Sequence, residues 1–361
     1  MRLIVAALGA LLVAAVLWEA FETLILPRRV TRRLRFSRIF LRALWKAWRT
    51  IGRRHPGTRR ENYLSLYAPL SLLLLFAAWV IGVIVGFALV SWGLDTPLAP
   101  GMGSAFASHL YLSATTFVTL GLGDVRPASS IGRTVTAIEA GTGFAFLALM
   151  ISYLPVLYQA FSRREVAISM LDAWAGSPPA AVELLRRAAS NGAIGSVDVV
   201  LADWEMRSAE LLESHLSYGI LAFFRSQHER QSWLAALTAV LDVSALVLAG
   251  VEGVSEWQAR RTFAMARHAV VDLAQALAAP PEGERAAAGR HPDPDEIHRA
   301  LDGAGVRMKP HAAARFVSFQ RMYEPYVLGL AWRLEMSLPS ILPMQRGELD
   351  DWQRTAWDLP E

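Results

Sequence analysis

Apolar residues come in long unbroken runs over the first 161 positions of this 361-residue chain and at helical spacing thereafter. Three runs are long enough for a helix that crosses a hydrocarbon core, which takes about 20 residues. They cover residues 3–26, 62–94 and 134–161. The first carries Glu19 and Glu22 in its last turns, the second has no charged residue, and the third has only Glu139. Beyond Phe161 the period is that of amphipathic helices, broken by Pro or Gly near 176–179, 191–195 and 250–253, with no alternation that would mark a strand. The run 234–251 is apolar enough to suggest a fourth crossing. Asp242 sits in its middle and serines interrupt it, so it is predicted to be a buried core helix. The fold class that follows is all-α: a membrane protein with three transmembrane helices, a re-entrant half-helix between the second and third, and a helical cytoplasmic domain.

Charge sets the orientation. Residues 27–60 hold twelve Arg and one Lys with no acidic residue, and such a block stays on the cytoplasmic side. The N-terminus is then outside, the three helices run inward, outward and inward, and everything after residue 161 is cytoplasmic in a multi-pass protein of the cell membrane. A signal peptide carries its positive charge before the apolar run, whereas here only Arg2 precedes it. Within the block, Phe36, Ile39, Phe40, Ala43, Leu44, Ala47, Trp48 and Ile51 recur at helical spacing opposite arginines. This predicts an amphipathic interfacial helix that meets the bilayer and its anionic lipid. Glu19 and Glu22 are expected to pair with Arg28 or Arg29.

The domain organisation reads as a first transmembrane helix (1–26), a basic linker (27–61), a pore-like domain (62–161), a helical domain (162–279), a Pro-rich linker (280–294), and a helical segment with an extended tail (295–361) packed by Trp352 and Trp357. The overall charge of +4 and the absence of any nucleic-acid-binding motif argue for no nucleic-acid partner. With no cysteine there is no disulfide and no thiolate chemistry. No Gly-x-Gly-x-x-Gly follows a strand, and neither HExxH nor a calcium-loop spacing occurs. The chain is therefore read as a non-enzyme without cofactor. His215, His228, His268 and His298 are expected to be surface or capping residues.

Between the second and third spans the pattern changes. Ser104 can cap a helix over 104–117 that is too short to cross a bilayer, and Thr119-Leu120-Gly121-Leu122-Gly123-Asp124 follows at once. Non-helical backbone at membrane depth is tolerated only where protein encloses it or an aqueous path runs past it. Glycine at alternate positions permits the left-handed dihedrals that aim successive carbonyls at one axis. In this reading Thr119 adds its hydroxyl, while Leu120 and Leu122 turn away and wedge the loop against the half-helix. The half-helix directs its carbonyl end, with its partial negative charge, at the membrane centre. Gly-x-Gly triplets also occur at 101, 141 and 303, but only the one at 121 has a span, a half-helix and a span around it.

These residues resemble the potassium-channel family, whose signature is Thr-Val-Gly-Tyr-Gly-Asp after a pore helix rich in Ser and Thr near its end. Tyr111-Leu112-Ser113-Ala114-Thr115-Thr116-Phe117-Val118 stands in that place. Pro127, Ile131-Gly132-Arg133 and Glu139-Ala140-Gly141-Thr142-Gly143 are similar to the family's turn and inner helix. The resemblance covers residues 62–161 and implies that K+ is the permeant ion, bound by the carbonyls of Thr119, Leu120, Gly121, Leu122 and Gly123 and by the Thr119 hydroxyl. It implies a homotetramer, since one pore segment per chain needs four copies to close a ring. Asp124 and Tyr111 match positions that hydrogen-bond behind the filter mouth, Thr115 stands where some relatives have glutamate, and Gly143 matches the hinge glycine. Leu120 and Leu122 depart from the usual valine and aromatic. A weakly selective cation channel, or a membrane-anchored scaffold with a non-conducting pore, therefore stays open as an alternative.

Glu139 is expected to support the filter from behind. Gly141 and Gly143 serve as bending or packing positions. Pro155 kinks the cytoplasmic end of the third span and places Ile151, Leu154 and Tyr158 at an inner constriction. As a hinge, Gly143 changed to Ala should alter opening and leave ion preference intact.

Overall fold

A computed structural model describes residues 1–26, 35–99, 105–228, 230–282, 290 and 293–342. The chain divides into two compact units, one made of Met1–Arg54 and Leu66–Tyr158, the other of His55–Ser65 and the chain from Gln159 on. Three helices are long and apolar enough to cross a membrane. They lie where the sequence put them, in an all-α membrane protein with a helical C-terminal part.

In the first unit, α1 (Arg2–Leu24) and α4 (Tyr67–Gly93) pack antiparallel. Small residues let their backbones approach: a Cβ added to Gly9 would come within 2.5 Å of the Gly86 carbonyl oxygen, and one added to Gly93 within 2.7 Å of the Arg2 carbonyl oxygen. Close packing of this kind holds helices together where lipid removes the hydrophobic drive. Arg2 pairs with Asp95 at one end. At the other, Glu19 accepts hydrogen bonds from the Ser37 amide at 2.9 Å and the Ser37 hydroxyl at 2.5 Å. Arg35 stands 3.8 Å from Glu19 and 3.7 Å from Glu22. Arg28 and Arg29, the expected partners, lie outside the described residues; Glu22 also accepts the Trp18 indole N–H at 2.8 Å.

The interfacial stripe does form a helix, α2 (Phe36–Gly52), with arginines along it. Its Trp45 is buried against the Tyr67 ring at 4.7 Å, and the Tyr67 hydroxyl donates to the Leu41 carbonyl at 2.8 Å. Phe36, Ile39 and Ile51 stay exposed.

The chain from Thr96 to Ser130 leaves α4 and returns. A two-residue antiparallel pairing of β1 (Leu98–Ala99) with β2 (Arg126–Pro127) clasps its ends, with Leu98 opposite Pro127. The Ala128 amide adds a bond to the Pro97 carbonyl at 2.9 Å. Inside the clasp lies α5 (Phe106–Phe117), and after it α6 (Ser130–Ala175). The predicted third span is thus longer at both ends, and α6 runs through Pro155 without interruption, although that residue has no N–H for the Ile151 carbonyl. Helix assignment starts at Phe106 after Ala105; the expected cap, Ser104, is outside the described residues.

The second unit is built around α9 (Trp233–Ala249), the apolar run that could have been taken for a membrane crossing. All of its residues are buried. It starts sharply because the Ser232 hydroxyl accepts the Ala235 amide at 3.0 Å. Around it pack α7 (Ala181–Ser190), α8 (Val197–Ser217), α10 (Glu256–Ala276), α12 (Ala312–Gln320) and α13 (Glu324–Leu334), with α11 (Pro294–Asp302) against α7 and α12. The Asp242 that argued against a crossing accepts hydrogen bonds from Arg290 at 2.5 Å and from the Tyr323 hydroxyl. Arg290 comes from the stretch read as a linker, yet it is buried in this core.

Two expectations change here. His215 is not at the surface: it is 2% exposed, its Nδ1 lies 2.9 Å from the Leu211 carbonyl and its Nε2 3.3 Å from Arg164. Burial, and then the Arg164 charge, hold its imidazole well below the usual histidine range. Secondly, the end of the basic linker belongs to this unit. Helix α3 (Gly57–Ser65) is held by Arg60 on Glu335 and by Glu61, 3.5 Å from Arg225. Arg225 also donates to the carbonyls of Leu334 and Glu335 at 2.7 and 3.0 Å, at the end of α13. The tail with Trp352 and Trp357 lies outside the described residues.

Candidate functional site: the re-entrant segment

The half-helix α5 ends by handing its last carbonyls to the segment that follows. The Thr116 carbonyl accepts the Thr119 amide at 2.9 Å, and the Thr115 carbonyl accepts the amides of Leu120 at 2.8 Å and Gly121 at 3.3 Å. From there the backbone alternates. Thr119, Gly121 and Gly123 have φ of 57°, 55° and 79°, with none of the residues between them in the left-handed region. This is the alternation expected of the two glycines, extended one step to a threonine, for which such a φ carries a steric cost. Positions 118–124 are all exposed on the single chain.

The predicted wedging of Leu120 and Leu122 is not made within one chain. They are 59% and 60% exposed, so the chain's own half-helix leaves both side chains uncovered.

The far end of the segment is braced from α5. The Tyr111 hydroxyl donates to Asp124 at 2.8 Å, and the other Asp124 oxygen accepts the Val125 amide at 3.0 Å. The pair that the resemblance implied is thus formed. Thr115 contributes its main chain: its hydroxyl turns back onto the Tyr111 and Leu112 carbonyls at 3.1 and 3.0 Å.

Glu139 lies on α6, 2% exposed, and hydrogen-bonds to Ser113 of α5. The Ser113 hydroxyl is also 2.7 Å from the Ile84 carbonyl of α4. Sequence reasoning missed Ser113, because a serine in a helix gives no signal of what its hydroxyl will meet. It missed Phe117 too. A Cβ added to Gly143 would collide with the Phe117 carbonyl oxygen and lie 2.9 Å from its carbon. Close approach of two backbones is therefore what requires glycine at 143. The contact of Gly143 is thus with the end of the helix that holds Thr119. At Gly141 a Cβ would meet open space. Aromatic rings fill the surroundings, with Phe117 and Phe146 at 6.1 Å, Trp79 and Phe146 at 6.3 Å, and Phe76 and Tyr153 at 6.1 Å.

Further along α6, Ile151 and Tyr158 are 64% and 51% exposed, Leu154 is half-buried and Pro155 exposed. They form one open stripe on the single chain. No cluster of three or more His, Asp or Glu side chains able to hold a metal ion exists among the described residues.

No solved structure matches the chain. A curated membrane protein of Bacillus subtilis (strain 168), the uncharacterized YdjJ, is 26% identical over 203 residues, covering 55% of this chain. The chain spans 57% of the length of that relative. Residues 70–159 match the family model described as an ion channel, from the first turn of α4 through α5 and the segment it holds to the point where α6 enters the second unit, so the re-entrant segment lies in an ion channel domain of a membrane protein.

Proposed function

We propose that this protein is the pore-forming subunit of a tetrameric potassium channel. The observation that carries the reading is the backbone of residues 119–123, left-handed at Thr119, Gly121 and Gly123 as a row of aligned carbonyls requires, with the amides of 119–121 held by the end of α5. A row of carbonyls can replace the hydration shell of a monovalent cation, and the carbonyl end of a helix adds favourable potential. K+ is the permeant ion, coordinated at Thr119, Leu120, Gly121, Leu122 and Gly123, with the Thr119 hydroxyl innermost. Tyr111, Thr115, Asp124 and Glu139 support this filter, Gly143 packs against it, and Ile151, Leu154 and Pro155 line the inner passage.

The homotetramer follows from stoichiometry: one such segment supplies one wall, and four walls enclose an axis. The exposure of 118–124, Ile151 and Tyr158 on a single chain supports this, because these surfaces are left for neighbours and for the aqueous path. The arginine-rich α2, with Phe36, Ile39 and Ile51 exposed, sits at the cytoplasmic face of the cell membrane and engages anionic lipid. On this reading the N-terminus is outside and the second unit is cytoplasmic, where it acts as a helical assembly or sensing domain.

The test is flux. Full-length protein in liposomes should be tetrameric, should pass K+ in preference to Na+, and should be blocked by barium. Equal flux of both ions leaves a weakly selective cation channel, the outcome to which the missing aromatic at Leu122 points. No flux across pH and voltage leaves a membrane-anchored scaffold.

A further inference from the structure

We propose that Glu139 is carried as a neutral carboxylic acid that donates a hydrogen bond to Ser113, whose own proton goes to the Ile84 carbonyl, so that one ordered chain of hydrogen bonds ties α6, α5 and α4 together behind the filter. The functional side of this rests on the pore reading above; the hydrogen-bond chain itself does not.

The argument is a count of protons. Ser113 has one hydroxyl hydrogen and two oxygen neighbours, the Ile84 carbonyl at 2.7 Å and the Glu139 carboxyl. A carbonyl oxygen can only accept, and a serine hydroxyl donates once while accepting through its lone pairs. Both contacts are hydrogen bonds only if the carboxyl supplies the second proton. With an ionised carboxylate, Ser113 would turn its hydrogen to Glu139 and leave two oxygens 2.7 Å apart with nothing between them. Such a carboxylate would also be buried without a counter-charge. Glu139 is 2% exposed and Ser113 2% exposed, enclosed by their own chain, and no Arg, Lys or His hydrogen-bonds to or pairs with Glu139 among the described residues. The imidazole one turn earlier on α5, His109, is 1% exposed and has no hydrogen-bond partner on either nitrogen, so it supplies none here. A neutral acid that is both buried and bonded avoids the large cost of an isolated buried charge.

The location gives the chain a task. Ser113 stands one turn before Phe117 on α5, and Glu139 one turn before Gly143 on α6, so the hydrogen bond and the backbone contact form two successive rungs between the same helices. The outer rung reaches through to α4 at Ile84. The inner rung abuts Phe117, next to the carbonyls of Thr115 and Thr116 that hold the amides of 119–121. Glu139 is therefore a positioning residue: it touches no ion and acts through Ser113 on the direction in which α5 presents the filter.

Two readouts test this on full-length protein in liposomes. In the infrared difference spectrum between the parent and Glu139→Gln at neutral pH, the parent should show the carbonyl stretch of a protonated carboxylic acid, and Ser113→Ala should move that band to higher frequency as its acceptor disappears. A parent with only carboxylate bands, or a band that Ser113→Ala leaves in place, overturns the proposal. This readout needs no conduction, so it stands even if the pore reading fails. In flux, Glu139→Gln keeps size, neutrality and a donor, and should retain the parent's K+ over Na+ ratio. Ser113→Ala and Glu139→Ala should each lower it by roughly tenfold, the factor that goes with about 1.4 kcal/mol. If Glu139→Gln loses the ratio while Glu139→Asp keeps it, a charged carboxylate is what the site requires and the proposal is wrong.

Discussion

The two units of this chain solve opposite problems with the same secondary structure. The second unit encloses its most apolar helix on every side, and the one carboxylate within that helix, Asp242, is answered by Arg290 and Tyr323. The first unit leaves Leu3, Leu8, Leu73, Ile81, Phe144 and Leu147 exposed, along with the backbone of 118–124. Its internal contacts include close backbone approaches at glycine, aromatic pairs and a few buried hydrogen bonds. A region with so much apolar surface open takes its stability from the surrounding lipid. The lesson is that two buried carboxyls are met differently: Asp242 by a guanidinium and a phenol, Glu139 by a serine hydroxyl that also meets the Ile84 carbonyl.

The comparison can be broken by experiment. The largest effect is expected from Asp242→Ala, which removes the nearer of two buried counter-charges of Arg290 and leaves Glu324 at 3.7 Å; it should cost the second unit about 3 kcal/mol. Chemical denaturation followed by the fluorescence of buried Trp233 would measure it; a loss below about 1 kcal/mol would mean that Arg290 escapes to water at little cost. Next comes Gly143→Ala, where overpacking costs about 1–3 kcal/mol. It should reduce the K+ over Na+ flux ratio as well as total flux, and a change in total flux alone would return Gly143 to the role of a hinge.

Third is a pH effect confined to the second unit. His215 is held well below its usual range in the folded state, whereas in the unfolded chain it titrates near about 6.5. Stability is then fully present above that pH and declines as pH falls below it, because only the unfolded state takes up the proton. His215→Phe should flatten this part of the curve of melting temperature against pH, and an unchanged slope would assign the acid sensitivity elsewhere. Smallest is Tyr111→Phe. Its bond to Asp124 is exposed, and its loss should lower the K+ over Na+ ratio only slightly. A large loss would mean that neighbouring copies bury this pair.

Much of this was legible in the chain. Three apolar runs, a half-length helix and the Thr-Leu-Gly-Leu-Gly-Asp segment are local signals, and hydrophobic length with glycine spacing reads them directly. Asp242 inside an apolar run was enough to place α9 in a core. Hidden from the sequence were the partners. Ser113 is one of several serines on amphipathic stretches, and only the tertiary approach of α4 and α6 gives its hydroxyl two neighbours. Gly143 looks the same whether it bends a helix or admits a carbonyl. The left-handed Thr119 was not anticipated, since a β-branched residue is disfavoured there, and it is the hydrogen bonds from the end of α5 that hold it. Arg290 was unreadable for a related reason: proline and glycine around it spell a linker, and a single long side chain reaching into the core leaves no periodicity.

The membership of α3 in the second unit bears on how this protein can be cut. Residues 66–158 are, in effect, an insertion between two stretches of one compact body, with α3 on one side and the rest of α6 on the other. A chain ended at Tyr158 would strip Arg60 of Glu335 and Glu61 of Arg225, and a helix of nine residues does not hold itself together in water. Excising the pore as a module therefore requires two edits, one after Tyr158 and one that replaces His55–Ser65 with a polar spacer. A soluble fragment beginning at Gln159 needs the same eleven residues grafted back to cover Arg225 and the end of α13.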